Sequence, residues 1–201
     1  MDVERLKQQI AFLLESDKLK NVIRQSWNTD QSRHENDAEH SWHVALAAMV
    51  LSEHCNETEL DLARVLRMLL VHDLVEIDAG DTPVYDEGAA RDKVEREQQA
   101  ARRIFGMLPS GQRSELQGLW EEFEERESPE ARFAAAIDRL LPLLLNCATE
   151  GKAWWEHKIS FEQALATNST IEDGSQALWD FVQQLLHDAV AGGLFPPKED
   201  K

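Results

Sequence analysis

The chain is short of cysteine and short of basic residues, and each shortage removes a class of function. Cys55 and Cys147 are its only two thiols in 201 residues and form no CxxC pair, so no disulfide framework is expected and both read as reduced core thiols. Twenty-one basic residues against 38 acidic ones leave a net charge of −17. Such a field repels polyanions and offers no basic stripe to a nucleic-acid backbone, so DNA and RNA are not expected as partners. A small anionic substrate fits only where a metal and a few placed arginines reverse the field locally. No charged-then-apolar leader opens the sequence, and its apolar runs are broken by Arg67, His72 and Asp138 well short of a membrane span. The expectation is a cytoplasmic protein that does not enter a membrane. No HExxH occurs, which argues against a zincin protease, and no repeat, low-complexity tract or linker divides the chain. Residues 1–201 are therefore expected to form one domain.

What the chain does have is an apolar segment with charge inside it. LDLARVLRMLLVHDLVEI, Leu60 to Ile77, is apolar nearly all round and should be a buried helix. Burying His72, Asp73 and Glu76 there without partners would cost several kcal/mol. A divalent cation is the economical answer. His72 and Glu76 are four apart and Asp73 and Glu76 three apart, so the three side chains are expected on one side of the helix. In DAGDTPVY, which follows, Gly80 and Pro83 end the helix and place Asp81 on a turn at its mouth.

The rest reads as helix too. Val3 to Leu14 has apolar residues at helical spacing, and a short helix or turn follows near Leu19 to Ile23. Asn36 with Glu39 makes a capping box for a helix from Asp37 to about His54, and Thr58 is expected to cap the central helix. A charged stretch from about Glu87 to Leu108 reads as a solvent-facing helix. SELQGLWEEFEERE forms another. Pro129 suits the first turn of the next, ARFAAAIDRLLPLLLNCA, which Pro142 is expected to kink. Trp154 and Trp155 introduce a looser segment, and Gly174 to Val190 is a last amphipathic helix. The tryptophans and methionines read as core.

His40, the pair His72 and Asp73, and Asp138 stand on different expected helices. Two histidines and two carboxylates make a mixed nitrogen and oxygen site suited to one divalent ion, Mn, Co, Zn, Fe or Mg, with water at the open positions. A lone His-Asp pair would mean little, because a satisfied core histidine explains most of them. The combination carries the inference, and its order of His, His-Asp and distant Asp resembles the HD-domain phosphohydrolases.

The likeness goes further. RHENDAEHS (Arg33 to Ser41) and HDLVEIDAGDTP (His72 to Pro83) resemble the R-x-E-x-x-x-E/D-H-S and H-D-x-x-E-x-x-x-G-D-x-P elements of the small bacterial 5′-deoxynucleotidases and their eukaryotic HD-domain relatives. LKNVIRQSW (Leu19 to Trp27) is similar to the family's segment bearing a substrate-contacting arginine, and WEEFEERESPEARFAAAIDRL (Trp120 to Leu140) to its run into the last metal-binding Asp. The resemblance implies an all-α HD-domain bundle, with a metal-site core over about 19–145 and C-terminal helices 150–195 packed on it. It implies His40, His72, Asp73 and Asp138 as metal ligands, Glu76 and Asp81 as catalytic residues, and Arg24, Asp81 and Thr82 as substrate contacts. Arg33 is expected to pair with a neighbouring carboxylate instead. The reaction implied is removal of phosphate from a nucleoside 5′-monophosphate, foremost a deoxyribonucleotide, by a homodimer. Within enzymes the alternative is an HD phosphohydrolase for another nucleotide or phosphate ester. Outside them it is a metal-stabilised nucleotide-sensing module, which would need the ligands but not Glu76 and Asp81. His43, His54, His157 and His187 lack such company and read as solvent-facing or ordinary packing.

Overall fold

The computed structural model describes residues 2–81 and 92–197, so Thr82 and Pro83 lie outside the described residues. Its order is α1 (Val3–Ser16), a 3-10 turn (Asp17–Asn21), β1 (Ile23–Trp27), β2 (His34–Asn36), α2 (Asp37–Leu51), a 3-10 turn (Ser52–His54), α3 (Leu62–Val71), a 3-10 turn (His72–Val75) and α4 (Glu76–Ala79). After the gap come α5 (Lys93–Phe105), α6 (Ser110–Glu125), α7 (Pro129–Ala148), α8 (Lys152–Glu156), α9 (Phe161–Asn168), α10 (Ile171–Gly174) and α11 (Gln176–Ala191). The bundle is helical, as the sequence implies.

Local chemistry sets most boundaries. Asn36 and Glu39 form the expected reciprocal capping box at α2, which satisfies two donors that a helix start leaves open. Ser128 caps α7 through Ala131 N–H and Pro129 occupies its first turn, where its missing N–H and fixed φ cost nothing. α7 is the axis. It buries Phe133, Ala134, Ile137, Leu140 and Leu141 and touches α2, α3, α6, α10 and α11. Its alanines let α10 come so close that a Cβ on Gly174 would stand 2.4 Å from the Arg132 carbonyl oxygen.

Several expectations need correction. β1 and β2 pair antiparallel, Ile23 with Asn36 and Trp27 with His34; strands this short and polar carry no alternation to read. The central helix starts at Asp61, whose side chain accepts from Arg64 N–H, not at Thr58. It also tightens: past Val71, at φ −118° and ψ −13° still in the right-handed helical region, the chain winds as the 3-10 turn His72–Val75. Trp154 lies in α8 and is buried, but Trp42, Trp155 and Met49 are exposed at 63%, 49% and 56%, so they are not core. No described helix is long and apolar enough to cross a membrane.

Candidate functional site

His72 and Asp73 open the 3-10 turn that follows Val71. Neighbouring residues on a regular α-helix point about 100° apart and do not face one point. Here His72 Nε2 lies 3.1 Å from Asp73 Oδ1. His72 Nδ1 lies 2.9 Å from the Leu69 carbonyl oxygen, so that nitrogen carries the proton and donates, leaving the Nε2 lone pair free. Nε2 is buried and has no hydrogen-bond partner.

α2 supplies His40 from its first turns, fully buried. Its Nε2 meets Asp138 Oδ1 of α7 at 2.8 Å, and its Nδ1 faces Glu35 of β2 at 3.4 Å. Asp138 Oδ1 is also 3.5 Å from His72 Nε2. His40, His72 and Asp73 each offer a ligand atom within 4.8 Å of the other two. Adjacent ligands bonded at about 2.1 Å to a first-row divalent ion stand roughly 3.0 to 3.5 Å apart. The donor spacings here match that, and the orphaned His72 Nε2 supplies a lone pair with nothing else to bind. The His and Asp group can hold a divalent metal ion. Phe123 closes one side, its ring 4.8 Å from that of His72.

Beside this group lies a carboxylate cluster that the sequence reading only half found. Asp37, fully buried, joins Asp73 and Glu76 in a second set of atoms within 4.8 Å. Arg24 donates from one guanidinium nitrogen to Asp37 Oδ1 and Asp73 Oδ2, both at 3.0 Å, and its Nε is 4.0 Å from Glu35 Oε2. Arg24 therefore neutralises the cluster as well as facing the cleft. Neither Glu35 nor Asp37 was singled out from sequence, because acids beside a helix start read as ordinary dipole partners. Their signal was their place inside RHENDAEHS. Arg33 pairs with Glu39 at the surface, at 2.6 Å, as expected.

Electrostatics follow from this crowding. Burial first, then the charges of Asp73 and Asp37, push Glu76 well above the usual carboxylate range. Burial and Asp73 raise Asp37 to about 6, although its hydrogen bond with Glu76 and the charge of Arg24 oppose the rise. Of the two carboxyls, Glu76 is pushed the further towards its protonated form. Burial also raises Asp81, which Gly80, at φ +75°, delivers to the cleft by a left-handed turn. Burial disfavours ionised Asp138, but the two imidazoles hold it well below the usual range.

Burial and Arg24 oppose a charge on His40, yet Asp138, Glu35 and Asp73 outweigh them and lift it to about 9. That value is above the unfolded one of about 6.5. Protonation thus stabilises the metal-free fold fully below pH about 6.5, and the gain is lost as pH rises through about 9. A cation that replaces the proton binds more tightly over the same window. The melting temperature of chelated protein is expected to fall across that interval, while the gain on adding Mn²⁺ grows. Scanning fluorimetry at several pH values checks it. A flat chelated profile would mean that the imidazoles are already neutral.

The group opens on a cleft of about 760 Å³, within the range of small-molecule sites. Arg24, His72, Asp73, Glu76, Asp81 and Asp138 all line it. His40 sits behind them, and Thr82 falls outside the described residues. His157 also lines the cleft, whereas His187 bonds to its own helix through the Gln183 carbonyl.

Solved structures and relatives agree with this architecture. A crystal structure from Magnetospirillum magnetotacticum MS-1, described as a predicted metal-dependent phosphohydrolase, superposes with a TM-score of 0.92 at 48% identity, covering 96% of this chain and 97% of that one. A conserved hypothetical protein from Pyrococcus furiosus shares the fold alone, with a TM-score of 0.59 at 19% identity over 90% of this chain and 99% of its own. The human protein named 5′-deoxynucleotidase HDDC2 is 34% identical over 131 residues, which span 65% of this chain and 62% of the human one. A sequence model of the HD domain matches residues 16–179, and the chain belongs to that family.

Proposed function

We propose that the protein is a metal-dependent phosphomonoesterase that removes phosphate from nucleoside 5′-monophosphates, deoxyribonucleotides foremost. The observation that carries this reading is the placement of an acid pair beside a metal-competent group in one cleft. His40, His72, Asp73 and Asp138 are the ligands in this reading, for one ion of Mn, Co, Zn, Fe or Mg. Such an ion supplies Lewis acidity at a phosphoryl oxygen and lowers the pKa of water towards about 7. Arg24 offsets charge on the equatorial oxygens. Glu76, which burial pushes towards its protonated form, gives a proton to the leaving 5′-oxygen, and Asp81 orients the attacking water. The names of the Magnetospirillum protein and of the human relative support the same chemistry. A sensor would need the metal group without a proton-holding Glu76, so the enzyme reading is preferred.

In this reading the 201 residues act as one cytoplasmic HD domain, with no membrane or nucleic-acid partner. A homodimer would cover the exposed apolar edge of α2, where Trp42, Leu46, Met49 and Val50 stand at 63%, 42%, 56% and 65% exposure. The deciding experiment is phosphate release from 5′-, 3′- and deoxy-monophosphates with each metal. Activity on 5′-deoxynucleotides is expected, with loss of activity and a lower melting temperature after chelation. No release from any nucleotide would remove the enzyme reading.

A further inference from the structure

Arg126 ends α6 in the left-handed conformation, φ 53° and ψ 30°. That position favours glycine, and an L side chain there costs on the order of 1 kcal/mol. Among the described residues three other non-glycines, Gln31, Glu150 and Lys158, have positive φ, but none of them lines the cleft. Arg126 does, together with Phe123 and Glu124 of the same helix, and Phe123 is the residue whose ring packs on His72.

Its charge is unspent. Glu121, Glu122, Glu124, Glu125 and Glu127 surround it in sequence, yet among the described residues its guanidinium pairs with no carboxylate. Glu122 is taken by Arg64 and by the Ser128 hydroxyl. The other cleft cations differ: Arg24 is held by Asp37 and Asp73, Lys93 faces Glu97 at 3.4 Å, and Arg139, which also lines the cleft, is engaged by partners of its own. A dianion approaching Glu35, Asp37, Asp73, Glu76, Asp81 and Asp138 needs more positive charge than a divalent ion and Arg24 provide.

Resting on the phosphomonoesterase reading, we infer that Arg126 is a phosphate-binding residue, a guanidinium free of carboxylate partners among the described residues that takes the phosphoryl dianion from the α6 side of the cleft. A planar fork suits phosphate oxygens in pairs. The left-handed cap sets Arg126 in the cleft wall, beyond the last turn of its own acidic helix.

The backbone also provides the control. Arg126→Gly removes the guanidinium and installs the residue this conformation favours, so the melting temperature should hold or rise. Arg126→Asn, the other residue that tolerates it, should behave alike. In the metal-loaded protein the affinity for inorganic phosphate, read by calorimetry, is expected to fall about tenfold in both variants, and Arg126→Lys should recover part of it. KM should rise equally for a nucleotide and for 4-nitrophenyl phosphate, which has no base or sugar. Unchanged phosphate affinity at an unchanged melting temperature would overturn the inference. So would a KM effect confined to nucleotides, which would place Arg126 on the base or sugar. If the parental protein hydrolysed no phosphomonoester, the functional reading would fall, while phosphate calorimetry would still decide Arg126.

Discussion

Asp73→Asn is expected to lose the metal ion, and with it all measurable phosphate release. Asp73 stands between two demands. One oxygen lies 3.1 Å from His72 Nε2, and the other accepts from Arg24 at 3.0 Å. An amide in its place removes a full negative charge from a divalent site and brings two N–H donors. If the amide oxygen keeps the metal side, an NH₂ group must point at the Arg24 guanidinium, donor against donor. If it turns, the NH₂ faces the metal and no ligand remains. Removing one partner of a buried charged network costs about 3 to 5 kcal/mol, so the variant should also melt lower than the parent. Elemental analysis of the purified variant, beside its melting curve with and without Mn²⁺, checks this. A full complement of metal in Asp73→Asn would exclude Asp73 as a ligand and move the centre towards His40, His72 and Asp138 alone.

How this centre forms explains what a sequence can reveal of it. The donor types were legible, because an imidazole and carboxylates inside an apolar run demand an explanation that burial energetics supply. The capping box at Asn36, the proline at the start of α7 and the Gly80 turn were legible for the same local reason: each depends on residues within four positions of one another. Convergence was not. Regular helical spacing gives no reason for His72 and Asp73 to face one point, and the 3-10 turn in which they sit is not written in the pattern. Apolar periodicity carries no trace of that change of winding, since Met68, Leu69 and Val71 are buried before it and Leu74 and Val75 within it.

The hairpin escaped for a different reason. Two of its polar residues face the cluster. Arg24 and Glu35 come from its two strands and end among Asp37, Asp73 and His40, contacts that no pattern within a strand encodes. Arg24 consequently does more than the sequence suggested. A substitution there would strip the counter-charge from two buried carboxylates, so a change in KM would not isolate a phosphate contact. Arg126, whose guanidinium has no such duty among the described residues, isolates it better.

Glu76→Gln should keep both metal and fold and still lose on the order of 10² to 10⁴ in turnover, the range of a positioned acid or base. The glutamine is chosen because burial and the Asp37 and Asp73 charges push Glu76 towards its protonated form, in which it would be a donor to Asp37. An amide can donate in the same way, so the buried pair stays satisfied and the change falls on proton transfer alone. Alanine would open a cavity beside an ionised Asp37 and confuse the two effects. KM should move little, since Glu76 offers no charge that binds a phosphate. Asp81→Asn is expected to show a loss of the same kind, with metal retained. A leaving group that needs no proton separates the roles. With 4-nitrophenyl phosphate, whose phenolate departs unaided, Glu76→Gln should recover much of its rate, and Asp81→Asn should not if Asp81 orients the attacking water. Equal recovery of both would erase that division of labour. Parental turnover in Glu76→Gln on nucleotides would take Glu76 out of the chemistry and put the nucleotide-sensing module ahead of the enzyme.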